Sequence, residues 1–206
     1  LGGRGRRGRV WISEAGNLYA SLLLIDPAPP AALGSLPIAV SLALYRAISG
    51  EMPWAGERVA IKWPNDILVD DRKVSGILIE AEVMRDGRQA VVIGCGVNIA
   101  HSPDNPLYPS TALIEAGATT SADMLFARLM QEMATVLVQW NEGQGIEAVV
   151  DAWKMHVKGI GGPIVVNLPD RSISGTFSGI EDDGRLLLRL PTGAVMPIAA
   201  GDVFFS

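Results

Sequence analysis

Apolar residues along this chain follow two rhythms: short unbroken runs closed by turn residues, and long stretches with a helical repeat. Asn17 to Ile25 reads as a buried strand, Val59 to Trp63 as a second, and Gln89 to Ile99 as a third with glycines near its end. Between them, Ile67-Leu68-Val69 and Val74 to Ile79 flank a polar turn at Asp70-Asp71-Arg72, the pattern of a β-hairpin. Leu33, Leu36, Val40, Leu44 and Ile48 recur at helical spacing, predicting a helix over about Ala32 to Ser49. A longer helix is expected from Thr120 to about Asn141. Thr120 and Asp123 form a capping-box-like start, and Leu125, Leu129, Met133, Val136 and Trp140 make one stripe. A further helix is expected over Ile146 to Met155, and His101 to Ala118, rich in Pro, Ser and Asn, reads as a loop.

From Gly159 the texture changes. After Gly161-Gly162-Pro163 come short strands at Ile164–Leu168, Ser172–Ile180, Arg185–Leu190, Val195–Ala199 and Val203–Phe205, with hairpin turns at Asp183-Gly184 and Thr192-Gly193. This predicts a small SH3-like β-barrel over residues 159–206, behind an α+β domain over residues 1–158. The larger domain is expected to be a mixed β-sheet with helices packed against it.

Composition narrows the class. With 206 residues, 49% of them hydrophobic and 19% charged, the chain is globular and can bury a sizeable core. A formal charge of -5 argues against DNA as a partner, and one cysteine excludes an internal disulfide and fits a reducing cytoplasm. The uncharged stretch from Pro27 to Tyr45 is long enough to raise a membrane span. Its prolines and helical repeat favour a core helix, so no membrane partner is expected. His101 and His156 lack metal-ligand spacing, so no protein metal site is expected.

Three clusters carry candidate chemistry. Arg4, Arg6, Arg7 and Arg9 alternate with glycines, which let backbone N–H groups approach an anion while the guanidiniums grip it; a solvated basic loop has the same composition. Trp11, just after them, can stack on a planar base. The Lys62-Trp63-Pro64-Asn65-Asp66 segment opens the hairpin with polar groups that a strand end does not need, and Lys73 stands at the mouth of the following apolar run. An amine and a carboxylate at adjacent strand ends are costly unless they meet a charged ligand. Lys73 can neutralise a carboxylate and a phosphate, or simply point into water. Asp66 can accept from an incoming amine or help hold magnesium, or, like Asn65, serve an Asx turn. Gly94, Gly96 and Asn98 end a buried strand, where glycines admit a flat ligand or mark a bulge.

Taken together, Gly-Arg-Gly-Arg-Arg-Gly-Arg with Trp11, Lys-Trp-Pro-Asn-Asp, Lys-Val-Ser-Gly-Ile-Leu and Gly-Cys-Gly-Val-Asn-Ile closely resemble the biotin protein ligases in order and interval. The resemblance spans essentially the whole chain, and implies a class II aminoacyl-tRNA synthetase/biotin ligase-like fold. It implies biotin, ATP and Mg2+ as ligands, with biotinyl-5′-AMP formed first. A biotin carboxyl carrier domain of a biotin-dependent carboxylase then receives the biotin on a lysine. By the resemblance, Lys73, Arg6 and Asp66 are catalytic. Gly3, Arg4, Gly5, Arg6, Lys73, Gly76, Gly94 and Gly96 bind biotin, and Arg6, Arg9, Trp11, Asn65, Asp66 and Asn98 serve ATP. An exposed sheet edge leaves a homodimer open, as in relatives.

The family also supplies Ser/Thr and Asn side chains from a segment ahead of the Arg/Gly run, and a Gln just before it. Only Leu1 and Gly2 precede Gly3 here, so upstream sequence is expected to be absent, as is the helix-turn-helix of repressor members. Three other readings stay open: a lipoate or octanoate ligase-like enzyme, a non-catalytic biotin-binding protein, and an RGG-like nucleic-acid module. The loop assignment predicts that Arg6→Gly loosens retention of the adenylate, read as stray biotinylation of bystander proteins. A tightly held intermediate in that variant would remove the loop from the site.

Overall fold

A computed structural model describes residues 3–5, 8, 10–54, 56–104 and 108–205. At its start, β1 (Gly3–Arg4) and β2 (Val10–Trp11) form a two-stranded antiparallel ribbon that sets Gly3 opposite Trp11. Next come β3 (Leu18–Ile25), α1 (Leu36–Glu51), β4 (Val59–Lys62), β5 (Asp66–Val69), β6 (Arg72–Val83) and β7 (Gln89–Val97). The five later strands make one sheet in the order β3-β7-β6-β5-β4, antiparallel at every pairing. Among the described residues, parallel pairing, expected from a mixed sheet, enters only as isolated bridges at Ile61–Val157 and Lys73–Ser110.

β3 departs from the buried strand predicted for it. Its residues alternate, with Leu18 buried and Tyr19, Leu23 and Ile25 exposed, because β3 is an edge strand covered on one face. The helix α1 departs the other way. Leu36, Ile38, Val40, Leu42, Leu44 and Ile48 are all essentially inaccessible, so the helix is buried around its circumference instead of along one stripe. It is long and apolar enough to cross a membrane, yet it packs between the sheet and the helices α2 (Ala122–Trp140) and α3 (Ile146–Lys154).

Polar groups on α1 are consumed by those helices. Trp140 Nε1 donates to Ser35 Oγ at 2.8 Å, and Trp153 Nε1 donates to Ser41 Oγ at 2.9 Å, so each indole is anchored as well as buried. The predicted stripe of α2 lies wholly in the core. Its cap is Ser121, whose Oγ accepts from the Met124 N–H, rather than Thr120; the helix begins one turn position later than the capping-box pattern placed it.

The C-terminal strands are β8 (Pro163–Asn167), β9 (Ser172–Ile180), β10 (Leu186–Arg189), β11 (Val195–Ile198) and β12 (Asp202–Phe205). They form an antiparallel SH3-like sheet in the order β11-β10-β9-β8-β12 around Ile164, Val166, Phe177, Leu186, Leu188 and Val203. Gly184 and Gly193 take positive φ in the two predicted turns, as tight hairpins require. The first turn reaches back to the larger sheet: Trp63 Nε1 donates to the Gly184 carbonyl at 2.9 Å, and a Cβ on Gly184 would lie 2.9 Å from the Gly34 carbonyl. On the connecting segment, Ile61 exchanges hydrogen bonds with the His156 carbonyl and the Lys158 N–H. Both sheets thereby meet at the Lys62–Asp66 end of β4 and β5.

The buried indole anchors generate a stability prediction. Trp153→Phe leaves the Ser41 hydroxyl without its donor in the core, at a cost of roughly 1–2 kcal/mol. A lowered urea midpoint with unchanged slope is the expected reading, and an unchanged midpoint would mean the bond contributes nothing.

Candidate active site

The hairpin β5–β6 places the central amine. Asp70 and Asp71 at its turn both have positive φ, and Arg58 holds Asp70 with two bonds at 2.6 and 2.8 Å. Asp66 pairs with Gly76 and Ile67 with Ser75, but Leu68 pairs with Lys73, so a bulge at Val74 interrupts the ladder. That bulge releases backbone groups for the loop after β7. Lys73 N–H donates to the Pro109 carbonyl at 2.9 Å, Thr111 N–H donates to the Lys73 carbonyl at 2.9 Å, and Asn98 N–H donates to the Val74 carbonyl at 2.8 Å. Lys73 is clamped by the sheet on one side and residues 109–111 on the other.

Held this way, Lys73 Nζ lies 2.6 Å from Asp66 Oδ1, with both side chains largely buried. The two charges expected to await a ligand neutralise each other. Lys73 Nζ also stands over two rings, 5.7 Å from the centre of Trp11 and 5.0 Å from that of Tyr108. Around it opens a cavity of about 270 Å³. Of the residues assigned by resemblance, Gly3, Arg4, Gly5, Trp11, Asn65, Asp66, Lys73, Gly76, Gly94 and Gly96 line it.

Trp11 and the glycines fit together differently from the expectation. A Cβ on Gly96 would come within 2.6 Å of the Trp11 indole, and one on Gly76 within 3.1 Å, so the indole itself lies on these two glycines. Gly94 is not covered by Trp11: a Cβ there would sit at ordinary contact distance, its nearest neighbour being the Leu78 carbonyl at 3.6 Å. The floor is thus divided: Trp11 covers the Gly76/Gly96 end and leaves the Gly94 end for a flat ligand. Trp11 Nε1 is buried against Gly96 without a hydrogen-bond partner among the described residues.

Other assigned residues have structural partners. Arg4 donates to Glu80 at 3.0 Å on the exposed rim, tying the ribbon to β6, while Gly3 N–H donates to Ser13 Oγ within the N-terminal segment. The Asn65 amide donates to the Ile77 carbonyl at 2.6 Å, tying the cavity wall to β6. Asn98, expected on the nucleotide side, does not line the cavity. It is 3% exposed and its amide donates to the Thr111 carbonyl, which fixes the loop that clamps Lys73. Arg6 and Arg9 lie outside the described residues.

A second cavity, of about 160 Å³, adjoins the first where the two sheets meet, and Asn65, Asp66, Tyr108 and Asp202 line both. Its walls include Lys62, whose Nζ stands 5.3 Å from the centre of Phe204 and 6.0 Å from that of Tyr108. Burial pulls the Lys62 ammonium below the usual lysine range, and the nearby Lys73 charge adds to this while Asp66 and Asp202 oppose it. Cys95 also lines the larger cavity, but burial pushes its thiol up to about 12, so it is no nucleophile at neutral pH. Lys62, Tyr108, Glu80 and Asp202 carried no assignment in the sequence reading. Lys62 had a visible signal, a charge ending a buried strand; Tyr108 sits in a loop and Asp202 comes from the far sheet, where no spacing reveals them.

Among the described residues, no three His, Cys, Asp or Glu side chains gather into a metal-binding group. What the site offers is two buried ammoniums, one shared carboxylate, a glycine-edged floor and an aromatic divider. This suits the joining of two anions, whose barrier is largely electrostatic.

Comparison with known proteins agrees with that chemistry. Residues 1–98 match the model of the biotin/lipoate A/B protein ligase family, and residues 159–206 match the biotin protein ligase C-terminal domain. A biotin--[acetyl-CoA-carboxylase] ligase of Paracoccus denitrificans is 35% identical over 98% of this chain and 86% of its own length. The bifunctional ligase/repressor of Salmonella typhimurium is 34% identical over 98% of this chain, which spans 62% of that protein. The fold is that of the Aquifex aeolicus biotin protein ligase in complex with biotin and ATP, with a TM-score of 0.80 at 22% identity, covering 98% of this chain and 84% of that one. The chain with its clamped lysine, glycine floor and C-terminal sheet belongs to the biotin protein ligase family.

Proposed function

We propose that the chain activates biotin with ATP and passes it to a lysine of a biotin carboxyl carrier domain. The observation that carries this is the Lys73–Asp66 pair inside a cavity shared by the Arg/Gly ribbon and the glycine floor. Biotin's rings lie toward Gly94 and its carboxylate toward Lys73, on the near side of Trp11. A carboxylate oxygen attacks the α-phosphorus, the bond to the pyrophosphate oxygen breaks, and biotinyl-5′-AMP and pyrophosphate result. The incoming lysine amine then attacks the acyl carbon, the C–O bond to AMP breaks, and the nitrogen gives up its proton.

Each residue has a physical task in this scheme. Lys73 offsets charge on the carboxylate and the α-phosphate as they meet, in a site from which water is largely excluded. Asp66 keeps that ammonium in place and presents an acceptor to the amine of the second step. Arg6, Arg9 and Trp11 attend the nucleotide. Magnesium, borne by the polyphosphate, supplies further neutralisation of phosphate oxygens, and Asp66 and Asp202 are carboxylates on the cavity walls that fit such an ion.

The functional domains divide at residues 158 and 159. A cytoplasmic setting suits the single buried thiol. The edge strand β3, with Leu23 exposed, is the element through which two copies of the chain would pair.

Transfer of labelled biotin from biotin plus Mg-ATP to a carrier domain tests the proposal, run on this chain and on an N-terminally extended form. Labelling of the carrier is expected. Transfer of lipoate in its place, or biotin binding without ATP-dependent turnover, would overturn it. Two variants probe the site more finely. Lys73→Ala should slow biotin-dependent pyrophosphate release by about 100-fold, the loss of roughly 3 kcal/mol of transition-state stabilisation, and should also lower the unfolding midpoint, because Asp66 is left largely buried without its partner. Wild-type release would remove Lys73 from the mechanism. Gly96→Ala must displace Trp11 and should raise the KM for ATP roughly tenfold, as overpacking of 1–3 kcal/mol implies, with less effect on biotin. Unchanged kinetics would mean the indole's seat has no part in binding.

A further inference from the structure

Tyr108 is half-buried and lines both cavities. Two ammoniums stand over its ring, Lys73 Nζ at 5.0 Å and Lys62 Nζ at 6.0 Å. Those cations repel each other, and the Lys62 ammonium is further disfavoured by burial. An aromatic face carries negative potential, so a ring under both cations eases their mutual repulsion without adding a charge that would compete with an anionic substrate. Asp66 and Asp202 also offset the Lys62 charge, but Asp66 is engaged with Lys73 at 2.6 Å, so the ring adds to what the carboxylates supply. The backbone beside the ring is tied to the lysine: the next carbonyl along the chain, that of Pro109, accepts the Lys73 N–H at 2.9 Å. The residue that aims the ring and the lysine it faces are therefore joined through the backbone.

We propose that Tyr108 is a positioning residue for adenylation, whose ring holds Lys73 and Lys62 together at the junction of the two cavities. This rests on the ligase reading above and adds a residue to it. The ring acts through the two ammoniums. Its electronic character should therefore govern the rate of adenylate formation, and the affinity for biotin, whose rings lie toward Gly94, should be insensitive to it.

The test keeps the shape of the ring and changes only its quadrupole. In the full chain, Tyr108→Phe is followed by mono-, di- and trifluorinated phenylalanine at the same position. kcat and the KM for biotin are measured by biotin-dependent exchange of pyrophosphate into ATP. Tyr108→Phe sets the baseline of the series, and kcat is expected to fall stepwise from it with fluorination by about tenfold in all, while the KM for biotin holds within about twofold. A flat series in an active protein would overturn this role and leave the ligase reading standing. So would a Tyr108→Phe variant as slow as Tyr108→Leu, since the hydroxyl and not the ring would then matter. A wild-type chain showing no biotin-dependent exchange would overturn the ligase reading and this role with it.

Discussion

The ion pair between Lys73 and Asp66 is the constraint around which the site is arranged. Two opposite charges held 2.6 Å apart in a largely buried setting must be placed by the backbone, because neither side chain has much freedom to search. The bulge at Val74 provides that placement. Without it, Lys73 would stay in the β5 ladder, and the loop at 109–111 would have no edge to join. With it, one lysine is fixed by a strand, a loop and a carboxylate together. A group that must meet developing charge without first reorganising needs this kind of support.

The pair also explains how the second sheet enters the chemistry. A neutralised Lys73 attracts an incoming carboxylate less than a lone ammonium would, so the site needs further positive charge. Lys62 supplies it from the end of β4, in the wall shared with β12. Its environment of Phe204, Tyr108 and Asp202 is built from a loop and the C-terminal strands. Trp63 and Gly184 lock that junction through one buried hydrogen bond. The small C-terminal unit thus completes a wall of the site as well as packing on the larger sheet.

Much of this was legible beforehand. Strands that are apolar runs between turn residues, and a helix with a clean stripe such as α2, announce themselves through local periodicity. The motif residues Lys73, Asp66, Gly94 and Trp11 could be named as a set because they are close in sequence to strand ends. Their mutual geometry could not be. That Asp66 and Lys73 pair depends on a register shift of one residue, which no periodicity encodes. Gly76 and Gly96 suggest a floor for ligand because glycine leaves room; that room is filled by Trp11, a contact between residues more than sixty positions apart that no local pattern encodes. Asn98 has a structural task that its position in the sequence does not announce. An Asn after a glycine-rich strand end looks poised for a ligand, but here it satisfies a buried carbonyl of the loop.

In the proposed scheme Trp11 keeps the seats of the two substrates apart, while both steps take place at the biotin carboxyl beside Lys73. Lying on Gly76 and Gly96, it leaves Gly94 uncovered and stands 5.7 Å from Lys73 Nζ. A flat ring system on the Gly94 side then meets a nucleotide only through its carboxylate tail, at the one place where Lys73, Asp66 and Tyr108 converge. Reactive geometry is thereby confined to the shared wall of two cavities, and a divider of one indole suffices because glycines beneath it permit contact at van der Waals distance. The same confinement protects the mixed anhydride, since water has to pass the ribbon that Arg4 ties to β6 before reaching it.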